Sequence, residues 1–511
     1  MKTHYLFLRA LSLIFLLFFL SYCTKETYDD NRGYNNPESS NAISLTSGNY
    51  SYDYDASAAQ PAPGGEGYEE YKENEFITTL EESVSTFSID ADGGSYSNTR
   101  RFLNSNQLPP RGAIRSEEFM NYFNLNYEEP TGQHPIALNG EISSCPWNGQ
   151  HKLLRIGIQG KSIPEQEIPR SNFVLLIDVS GSMSSANKLE LLKESFKIFT
   201  DQLADNDRVS IVTYSGQSGV LLPSTLGSEK ETIKAAIDQL GAGGSTAGAQ
   251  GIITAYEIAL QNFIEGGNNR VVLGTDGDFN VGVSSQEGLV ELIEEKRELG
   301  VFLTVLGVGT GNYQDAKMEQ LADNGNGTYE YLDNLDQAKK VLIYEFQKFF
   351  TVAKDVKVQV HFNPDVVFAY RLIGYENRLL ETEDFEDDEK DAGEIGAGQN
   401  ITALYEIIPS VLSLPNSAAI TIDFRYKLPD EDSSIPLSMD VMDSPQSFQS
   451  ASENMRFAAC AAGFGMMLWD SNYKGDLNYD KIINWAGNAM TYDPYGFRAE
   501  FIQLVHKAKE L

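Results

Sequence analysis

One stretch decides how this chain folds: Phe173-Val-Leu-Leu-Ile-Asp-Val-Ser-Gly-Ser-Met183. A short apolar run ends abruptly in acidic and hydroxyl side chains, and an amphipathic segment follows. An uninterrupted apolar run of this length is typical of a strand that is buried on both faces of a sheet. Open α/β sheets bind ligands just beyond the carboxyl ends of such strands. We therefore interpret Asp178, Ser180 and Ser182 as half of a divalent-cation site.

Strand and helix patterns alternate from residue 171 to about residue 350. In the first helix the apolar residues are spaced three and four apart, which places one apolar stripe against a sheet. These residues are Leu189, Leu192, Phe196, Phe199 and Leu203. The last helix of the region is predicted over Leu335–Phe350. Alternation of apolar strands with such helices predicts an α/β fold, a doubly wound and mostly parallel sheet.

Both flanks of this region show alternating apolar and polar residues, which is the pattern of half-buried strands. Ile136–Ile142 and Leu154–Ile158 show it before the α/β region, and Val356–Phe362 and Ile420–Tyr426 show it afterwards. We therefore expect the α/β domain to be inserted in, or packed on, one antiparallel β-sandwich formed by both flanks. The apolar segment Met455–Trp469 is too short to span a bilayer, so it predicts a buried helix in a C-terminal helical region.

The start of the chain has the layout of a secretory signal, with a charged beginning, a short apolar middle and small residues near the cleavage point. Lys2 and Arg9 precede the apolar run Ala10–Leu20, and Cys23 follows. This resembles a bacterial lipoprotein signal, in which Cys23 becomes the lipidated first residue and anchors the chain to a membrane. A plain signal peptide with an incidental cysteine is the alternative. Residues 24–75 are rich in Asn, Ser, Gly, Asp and Tyr and predict a disordered tether.

A chain of 511 residues is long enough for several domains, since one core rarely grows beyond about 250–300 residues. We predict six segments along it. They are a lipoprotein signal peptide (1–23), a disordered tether (24–75), an N-terminal flanking domain of helices and strands (76–170), the α/β domain (171–350), the β-sandwich part of a C-terminal flanking domain (351–450) and C-terminal helices (451–511).

The net charge and the cysteines limit the possible partners and cross-links. The formal net charge is −34 at pH 7. Nucleic acid is excluded as a partner on this ground, because binding it requires basic patches. Beyond Cys23 the chain has Cys145 and Cys460, which could form one disulfide or remain two thiols. We favour two structural thiols, because Cys460 lies among alanines, as small buried residues do.

Two further loops at the same sheet edge carry oxygen-bearing side chains. Thr246 lies in a glycine-rich loop before a helix, and Asp276 follows an apolar strand. The order Asp178-x-Ser180-x-Ser182, then Thr246, then Asp276 resembles the metal-ion-dependent adhesion site (MIDAS) of von Willebrand factor type A (VWA) domains. The resemblance implies that the domain of residues 171–350 is a VWA domain.

The flanking regions extend this resemblance to residues 76–511. Phe87–Asp92, Leu153–Gln159 and Asp391–Gly398 are similar to segments of bacterial envelope lipoproteins that carry a VWA domain between family-specific flanking regions. The resemblance implies a protein of the bacterial cell envelope that is lipid-anchored through Cys23. The outer membrane is the expected location, and the choice between its periplasmic and surface faces stays open.

The resemblance also implies a cofactor, Mg²⁺ or else Mn²⁺ or Ca²⁺. In the family the two serines bind the ion directly, the two aspartates act mainly through water, and the residue at the position of Thr246 joins directly in the ligand-competent state. Mg²⁺ requires six oxygens in a near-octahedral array. Neutral hydroxyl ligands leave its charge largely uncompensated, which favours an Asp or Glu carboxylate from a partner protein. The alternative is that Ser180, Ser182 and Thr246 are only helix caps and turn residues.

Other residues near these loops have less specific patterns. Gly181 permits a tight turn between the two serines. Asp278 and Asn280 are candidates for contacts at the rim of the site, and a plain turn is the alternative. Asp90-Ala-Asp92 loosely resembles a calcium loop, but its glycine and third acid are misplaced for the EF-hand pattern, so a turn fits better.

The motifs that carry catalysis are missing from the sequence. It has no His-Glu-x-x-His, no phosphate-loop lysine motif and no Gly-x-Ser-x-Gly nucleophile turn. We therefore predict a non-enzymatic protein that binds a partner protein by adhesion through the metal ion. An envelope assembly or chaperone factor for a client enzyme is the alternative. A metal-dependent hydrolase is a more remote one.

Overall fold

The computed structural model describes residues 65–90, 92–215, 217–244, 248–278, 286–411, 418–443 and 446–511. The predicted signal peptide with Cys23 and most of the predicted tether lie outside these residues, as do Thr246 and Asn280 of the predicted site. Among the helices in the described ranges, none is both long enough and apolar enough to cross a membrane.

The described residues form strands and helices in both flanks and in the α/β region. The strands are β1 (Ile77–Thr78), β2 (Val84–Ser88), β3 (Ile136–Ser144), β4 (Lys152–Gly160), β5 (Ser171–Asp178), β6 (Arg208–Ser215), β7 (Gln217–Leu226), β8 (Asn268–Thr275), β9 (Val301–Val308), β10 (Tyr329–Leu332), β11 (Thr351–Phe362), β12 (Val367–Ile373), β13 (Leu379–Leu380), β14 (Gly393–Gly396), β15 (Asn400–Pro409), β16 (Ala418–Lys427) and β17 (Ile435–Met442). The α-helices are α1 (Gly94–Asn104), α2 (Ser116–Asn121), α3 (Leu191–Gln202), α4 (Lys230–Asp238), α5 (Gly248–Gln261), α6 (Gln286–Glu298), α7 (Asp315–Asp323), α8 (Leu335–Lys339), α9 (Glu453–Trp469), α10 (Tyr479–Gly487) and α11 (Phe497–Glu510).

Two antiparallel sheets form the β-sandwich. One has the strand order β1-β12-β15-β4-β3, and the other has the order β13-β2-β11-β16-β17, with β14 also pairing with β11. Each sheet contains strands from both sides of the α/β region, which confirms the predicted fold class. Ile156 of one sheet, Val358 of the other and Phe464 of α9 belong to one buried apolar cluster. The sandwich and the C-terminal helices therefore share a core.

The α/β sheet has the strand order β10-β9-β8-β5-β6-β7. Its pairings are parallel except that β7 is antiparallel to β6. Every residue of β5 is buried, as the uninterrupted apolar run predicts. Apolar residues of α3, α4 and α8 cover one face of the sheet, and those of α5, α6 and α7 cover the other. Ile177 of β5 pairs with Gly274 of β8, which brings the loops after these two strands together.

The predicted helix over Leu335–Phe350 is wrong as a single element. The α-helix α8 ends at Lys339, a π-helical turn covers Lys340–Tyr344, and a 3-10 turn covers Phe346–Phe349. Glu345 leaves the helical region, with φ of −114° and ψ of 20°. The break directs the Phe346 ring into the core, where it contacts the rings of two core phenylalanines.

The folded part also begins earlier than the predicted boundary at residue 76. The Glu66 carboxylate pairs with Arg101 on α1 at 2.9 Å. The Tyr68 hydroxyl accepts a hydrogen bond from Asn98 at 3.0 Å, and its ring packs against the apolar core of the α/β domain. These contacts join distant parts of the chain, so the polar composition of residues 65–75 does not reveal them.

Cys145 and Cys460 are both buried and both free. Burial raises the pKa of each thiol. The structure therefore agrees with two structural thiols at these positions and not with a disulfide.

Candidate metal-binding site

Asp178 is the acidic centre of the predicted site, at the carboxyl end of β5. Its side chain is fully buried. Oδ1 accepts a hydrogen bond from the Ser180 backbone N–H at 2.8 Å, and Oδ2 accepts from the hydroxyls of Tyr214 and Thr275, each at 3.1 Å. Burial raises the pKa of the Asp178 carboxyl, and the hydrogen bonds from Ser180 oppose this. The protein itself therefore supplies donors to both carboxylate oxygens.

The hydroxyls of Ser180 and Ser182 lie next to each other at the start of a 3-10 turn. Ser180 precedes the turn Gly181–Ser184, and the two Oγ atoms are 3.0 Å apart. Adjacent ligands in a regular octahedron around Mg²⁺ are about 2.9 Å apart, because each Mg–O bond is about 2.0–2.1 Å long. The wider Ca–O bonds of about 2.3–2.6 Å would require a larger separation. The pair therefore fits neighbouring ligand positions around Mg²⁺ as it stands.

The glycine-rich loop before α5 runs beside this turn. The Gly181 N–H donates to the Gly244 carbonyl at 3.2 Å, and the Gly243 N–H donates to the Val179 carbonyl at 2.8 Å. Gly244 has φ of +91°, and a Cβ atom there would lie 2.4 Å from Ser215 Oγ. A side chain at this position would therefore collide with Ser215 at the end of β6.

Asp276, directly after β8, is the second buried carboxylate. Its Oδ1 accepts from the Asp278 backbone N–H at 3.1 Å. Its Oδ2 accepts from Lys188 Nζ at 2.9 Å and from Asn312 Nδ2 at 3.1 Å. Asn312 Nδ2 also lies 3.3 Å from Asp278 Oδ2. Asp278 is therefore a neighbour of the second carboxylate at the solvent-exposed rim.

Four residues of this arrangement were not predicted from the sequence: Tyr214, Thr275, Lys188 and Asn312. Tyr214 is the last residue but one of β6, and Thr275 is the last residue of β8, the two strands that flank β5. The rule that selected Asp178 could therefore have found them. Asn312 lies in the loop after β9, the strand next to β8 in the sheet. For Lys188 no sequence signal exists, because a lysine on an amphipathic segment normally faces solvent.

A second acidic region lies between the N-terminal flank and the α/β domain. The Asp92 N–H donates to Asp90 Oδ1 at 2.8 Å, which closes a turn in agreement with the favoured interpretation of this segment. Asp90 and Asp92 line a cavity of about 110 Å³ together with Asp323 and Arg378.

Arginine side chains already hold the carboxylates beside this cavity. Asp90, Glu118 and Glu319 are buried, and one oxygen of each lies within 4.8 Å of the others. Arg378 lies 3.0 Å from Asp90, while Arg115 contacts Glu118 and lies 3.4 Å from Glu319. Burial raises the pKa of Glu319 to about 7, although Arg115 opposes the shift. We interpret this cluster as an internal ion network, because guanidinium groups occupy oxygens that a cation would need.

Family models match three consecutive parts of the chain. A model described as "von Willebrand factor" matches residues 62–155, and one for the von Willebrand factor type A domain matches residues 172–343. A third, described as the C-terminal part of the uncharacterized protein YfbK, matches residues 347–511.

One relative matches along most of the chain. It is the uncharacterized protein YfbK of Escherichia coli K12, which is 41% identical over 475 residues, or 87% of this chain and 81% of the relative. The chain belongs to the YfbK family. A UPF0353 protein of Mycolicibacterium paratuberculosis is 29% identical over 197 residues, or 34% of this chain and 58% of that protein. Among solved structures, a von Willebrand factor type A protein from Catenulispora acidiphila is 17% identical and has a TM-score of 0.41, covering 75% of this chain and 92% of that one.

In this YfbK family member the VWA domain carries all the described residues of the predicted site. The type A domain suggests a role in protein–protein interaction or adhesion. VWA domains commonly bind a metal at their adhesion site. The chemistry of the site agrees with that, since its described donors are oxygens of the type that hard divalent cations prefer.

Proposed function

We propose that this YfbK family member is a non-enzymatic envelope protein that captures a partner protein through a Mg²⁺ ion at the VWA domain. One observation carries the proposal: the Ser180 and Ser182 hydroxyls lie 3.0 Å apart beside Asp178, both of whose oxygens already accept hydrogen bonds. This arrangement favours the hydroxyls as direct ligands. The carboxylate then acts through water molecules around the ion.

Neutral direct ligands explain why the partner should present a carboxylate. An ion held mainly by hydroxyls and water keeps most of its double positive charge, and Mg²⁺ prefers oxygen ligands. An Asp or Glu side chain supplies both an oxygen and a negative charge. We assign the third hydroxyl to Thr246, because its loop begins at Gly243 and Gly244, beside the serine turn.

We further propose that a lipid at Cys23 anchors the protein to the envelope membrane. The apolar run Ala10–Leu20 directly before this cysteine supports the assignment. With a net charge of −34, the chain would gain nothing from an anionic lipid surface by electrostatics alone. A covalent lipid supplies the attachment that the charge does not.

The metal part of the proposal is tested by titrating purified protein with Mg²⁺ and with Mn²⁺ in a calorimeter. We expect one ion per chain, and Ser182→Ala should weaken binding at least about tenfold, because it removes one direct ligand. The matched control is Ser184→Ala, which alters an exposed serine of the same turn. Equal affinities for the two variants would refute the site.

The partner is tested separately by capture from detergent-solubilised envelope. Wild-type protein should retain a protein in Mg²⁺ and release it in EDTA, and Ser182→Ala should retain much less of it than Ser184→Ala. Amidation of the carboxylates in the released partner should abolish its rebinding to the wild-type protein. Capture that is unchanged by EDTA and by the Ser182 substitution would refute metal-mediated binding.

A further inference from the structure

A buried lysine lies against the second carboxylate of the site. Lys188 belongs to the π-helical turn Ala186–Glu190, and its side chain is 5% exposed. Its Nζ donates to Asp276 Oδ2 at 2.9 Å and to Asn312 Oδ1 at 2.6 Å. Asn312 Nδ2 donates to the same Asp276 oxygen at 3.1 Å. Two neighbours that also bind each other therefore hold the ammonium group in place.

The path of the lysine side chain depends on a glycine. Gly309 follows β9 with φ of +86°, and a Cβ atom there would lie 2.3 Å from Lys188 Cε and 2.4 Å from Lys188 Cγ. Any other residue would displace the alkyl chain. The loop after β9 is thus shaped to let the lysine pass over it and reach the site.

The ammonium changes the charge that an incoming ligand meets. Asp178 and Asp276 contribute two negative charges and Lys188 one positive charge, so the buried groups carry a net charge of −1. A divalent ion brings this to +1, whereas the same site without the lysine would become neutral. Charges in a buried site interact more strongly than charges in water. Asp278 adds little to this balance, because it is exposed and its charge is screened.

We propose that Lys188 tunes the site for carboxylate capture, weakening the binding of the divalent ion while strengthening the binding of a carboxylate to the ion-loaded site. This inference rests on the proposed function and names Lys188 as the residue that sets the ligand preference of the metal site. The lysine repels the ion and engages an oxygen of Asp276. Once the ion is bound, the same positive charge attracts an anionic ligand.

The test is to measure Mn²⁺ and acetate binding to the full chain with Lys188→Met, a change that removes the charge but keeps an unbranched side chain. Calorimetry should show Mn²⁺ binding about tenfold tighter than in the wild-type protein. Acetate added to the Mn²⁺-loaded protein displaces coordinated water and lowers water-proton relaxation. Its apparent affinity should fall at least about threefold in the variant.

Two further variants separate the charge effect from damage to the fold. Lys188→Gln removes the charge but keeps a hydrogen-bond donor, and it should shift both affinities in the same directions. Lys193→Met is the control, since Lys193 pairs with the exposed Glu190 and should leave both affinities unchanged.

The possible outcomes distinguish this inference from the proposed function. Tighter Mn²⁺ binding with weaker acetate binding in both Lys188 variants supports it. Mn²⁺ binding no tighter than in the wild-type protein, or acetate affinity unchanged, would overturn it and identify Lys188 as a structural ion pair. A wild-type protein that binds no Mn²⁺ would instead overturn the proposed function itself.

Discussion

Arg100 and Asp333 form a bidentate ion pair between the N-terminal flank and the VWA domain. Nη2 lies 2.5 Å from Oδ1, and Nε lies 2.8 Å from Oδ2. The two side chains are 2% and 4% exposed. Arg100 also reaches Glu500 on α11 at 2.9 Å and the Tyr122 hydroxyl at 2.8 Å. A single guanidinium therefore joins the N-terminal flank, the VWA domain and the last helix.

Removing this guanidinium should destabilise the protein strongly. Arg100→Met leaves Asp333 buried without its partner, which costs about 3–5 kcal/mol of the free energy of unfolding. Arg111→Met is the matched control, because Arg111 and Asp470 form an exposed pair whose side chains are 60% and 68% exposed. That control should cost less than about 1 kcal/mol. Equilibrium unfolding in urea measures both, and equal costs would contradict the assigned role of Arg100.

A buried glutamate should make stability depend on pH. Burial, together with repulsion from Glu376 and Asp90, raises the pKa of Glu117 to about 8. An unfolded glutamate has a pKa of about 4.3. Between about pH 4.3 and pH 8, Glu117 is protonated in the folded chain and ionised in the unfolded chain. Its contribution to the free energy of unfolding is therefore greatest at the low-pH end of this range and falls as the pH rises towards about 8.

Glu117→Gln should flatten this dependence, because the amide imitates the protonated acid. We expect the variant to match the wild-type protein near pH 5 and to exceed its free energy of unfolding by about 1–4 kcal/mol at pH 8. Glu128→Gln, at an exposed position, is the control and should change neither value. Urea unfolding at the two pH values decides the matter. A variant with the wild-type slope would show that Glu117 does not titrate in this range.

The sequence was sufficient for the parts of the site that depend on local pattern. Asp178, Ser180 and Ser182 follow one apolar strand, and Asp276 follows another, so strand ends alone place them on one edge of the sheet. The β-sandwich was predictable for a similar reason, since two-residue alternation is a local property. Which strands pair across the flanks needed the structure, because the pairing of β4 with β15 joins residues far apart in the chain.

Contacts made by long side chains were not predictable in this way. Lys188 reaches Asp276 across 88 positions of the sequence, and this depends on the glycine that clears its path. The helix over Leu335–Phe350 was mispredicted for a related reason. Apolar spacing shows that its phenylalanines are buried, but it does not show that Phe346 turns into a core containing Phe173.

Gly309 should be essential for the position of Lys188. Gly309→Ala places a methyl group 2.3 Å from Lys188 Cε, so we expect lower stability and tighter Mn²⁺ binding as the lysine is displaced. Gly311→Ala is the matched control, because Gly311 has φ of +93° and an added Cβ would meet nothing within 4 Å. It suffers similar backbone strain without the contact. Calorimetry should show altered Mn²⁺ affinity only for Gly309→Ala, and the same affinity in both variants would contradict the argument.

The end of the VWA domain should be energetically coupled to the C-terminal region. Tyr344 and Tyr495 stack with ring centroids 3.8 Å apart and planes 7° apart, although each side chain is about half exposed. Aromatic pairs of this kind contribute about 0.5–1.5 kcal/mol beyond buried area. A double-mutant cycle with Tyr344→Ala and Tyr495→Ala should return a coupling energy in this range. Additive effects of the two substitutions on the free energy of unfolding would show that the stack does not couple the two regions.

Divalent ions should stabilise the folded protein by an amount that the binding affinity sets. An ion that binds only the folded state adds about 2.7 kcal/mol at a concentration of 100 times its Kd. Urea unfolding in Mg²⁺ should therefore show this gain for the wild-type protein and for Ser184→Ala. Ser182→Ala should gain much less at the same concentration, because it lacks one hydroxyl of the 3.0 Å pair. A gain of equal size in all three proteins would place the ion elsewhere, and the acidic cavity beside Asp90 and Asp92 would then be the region to test by substitution.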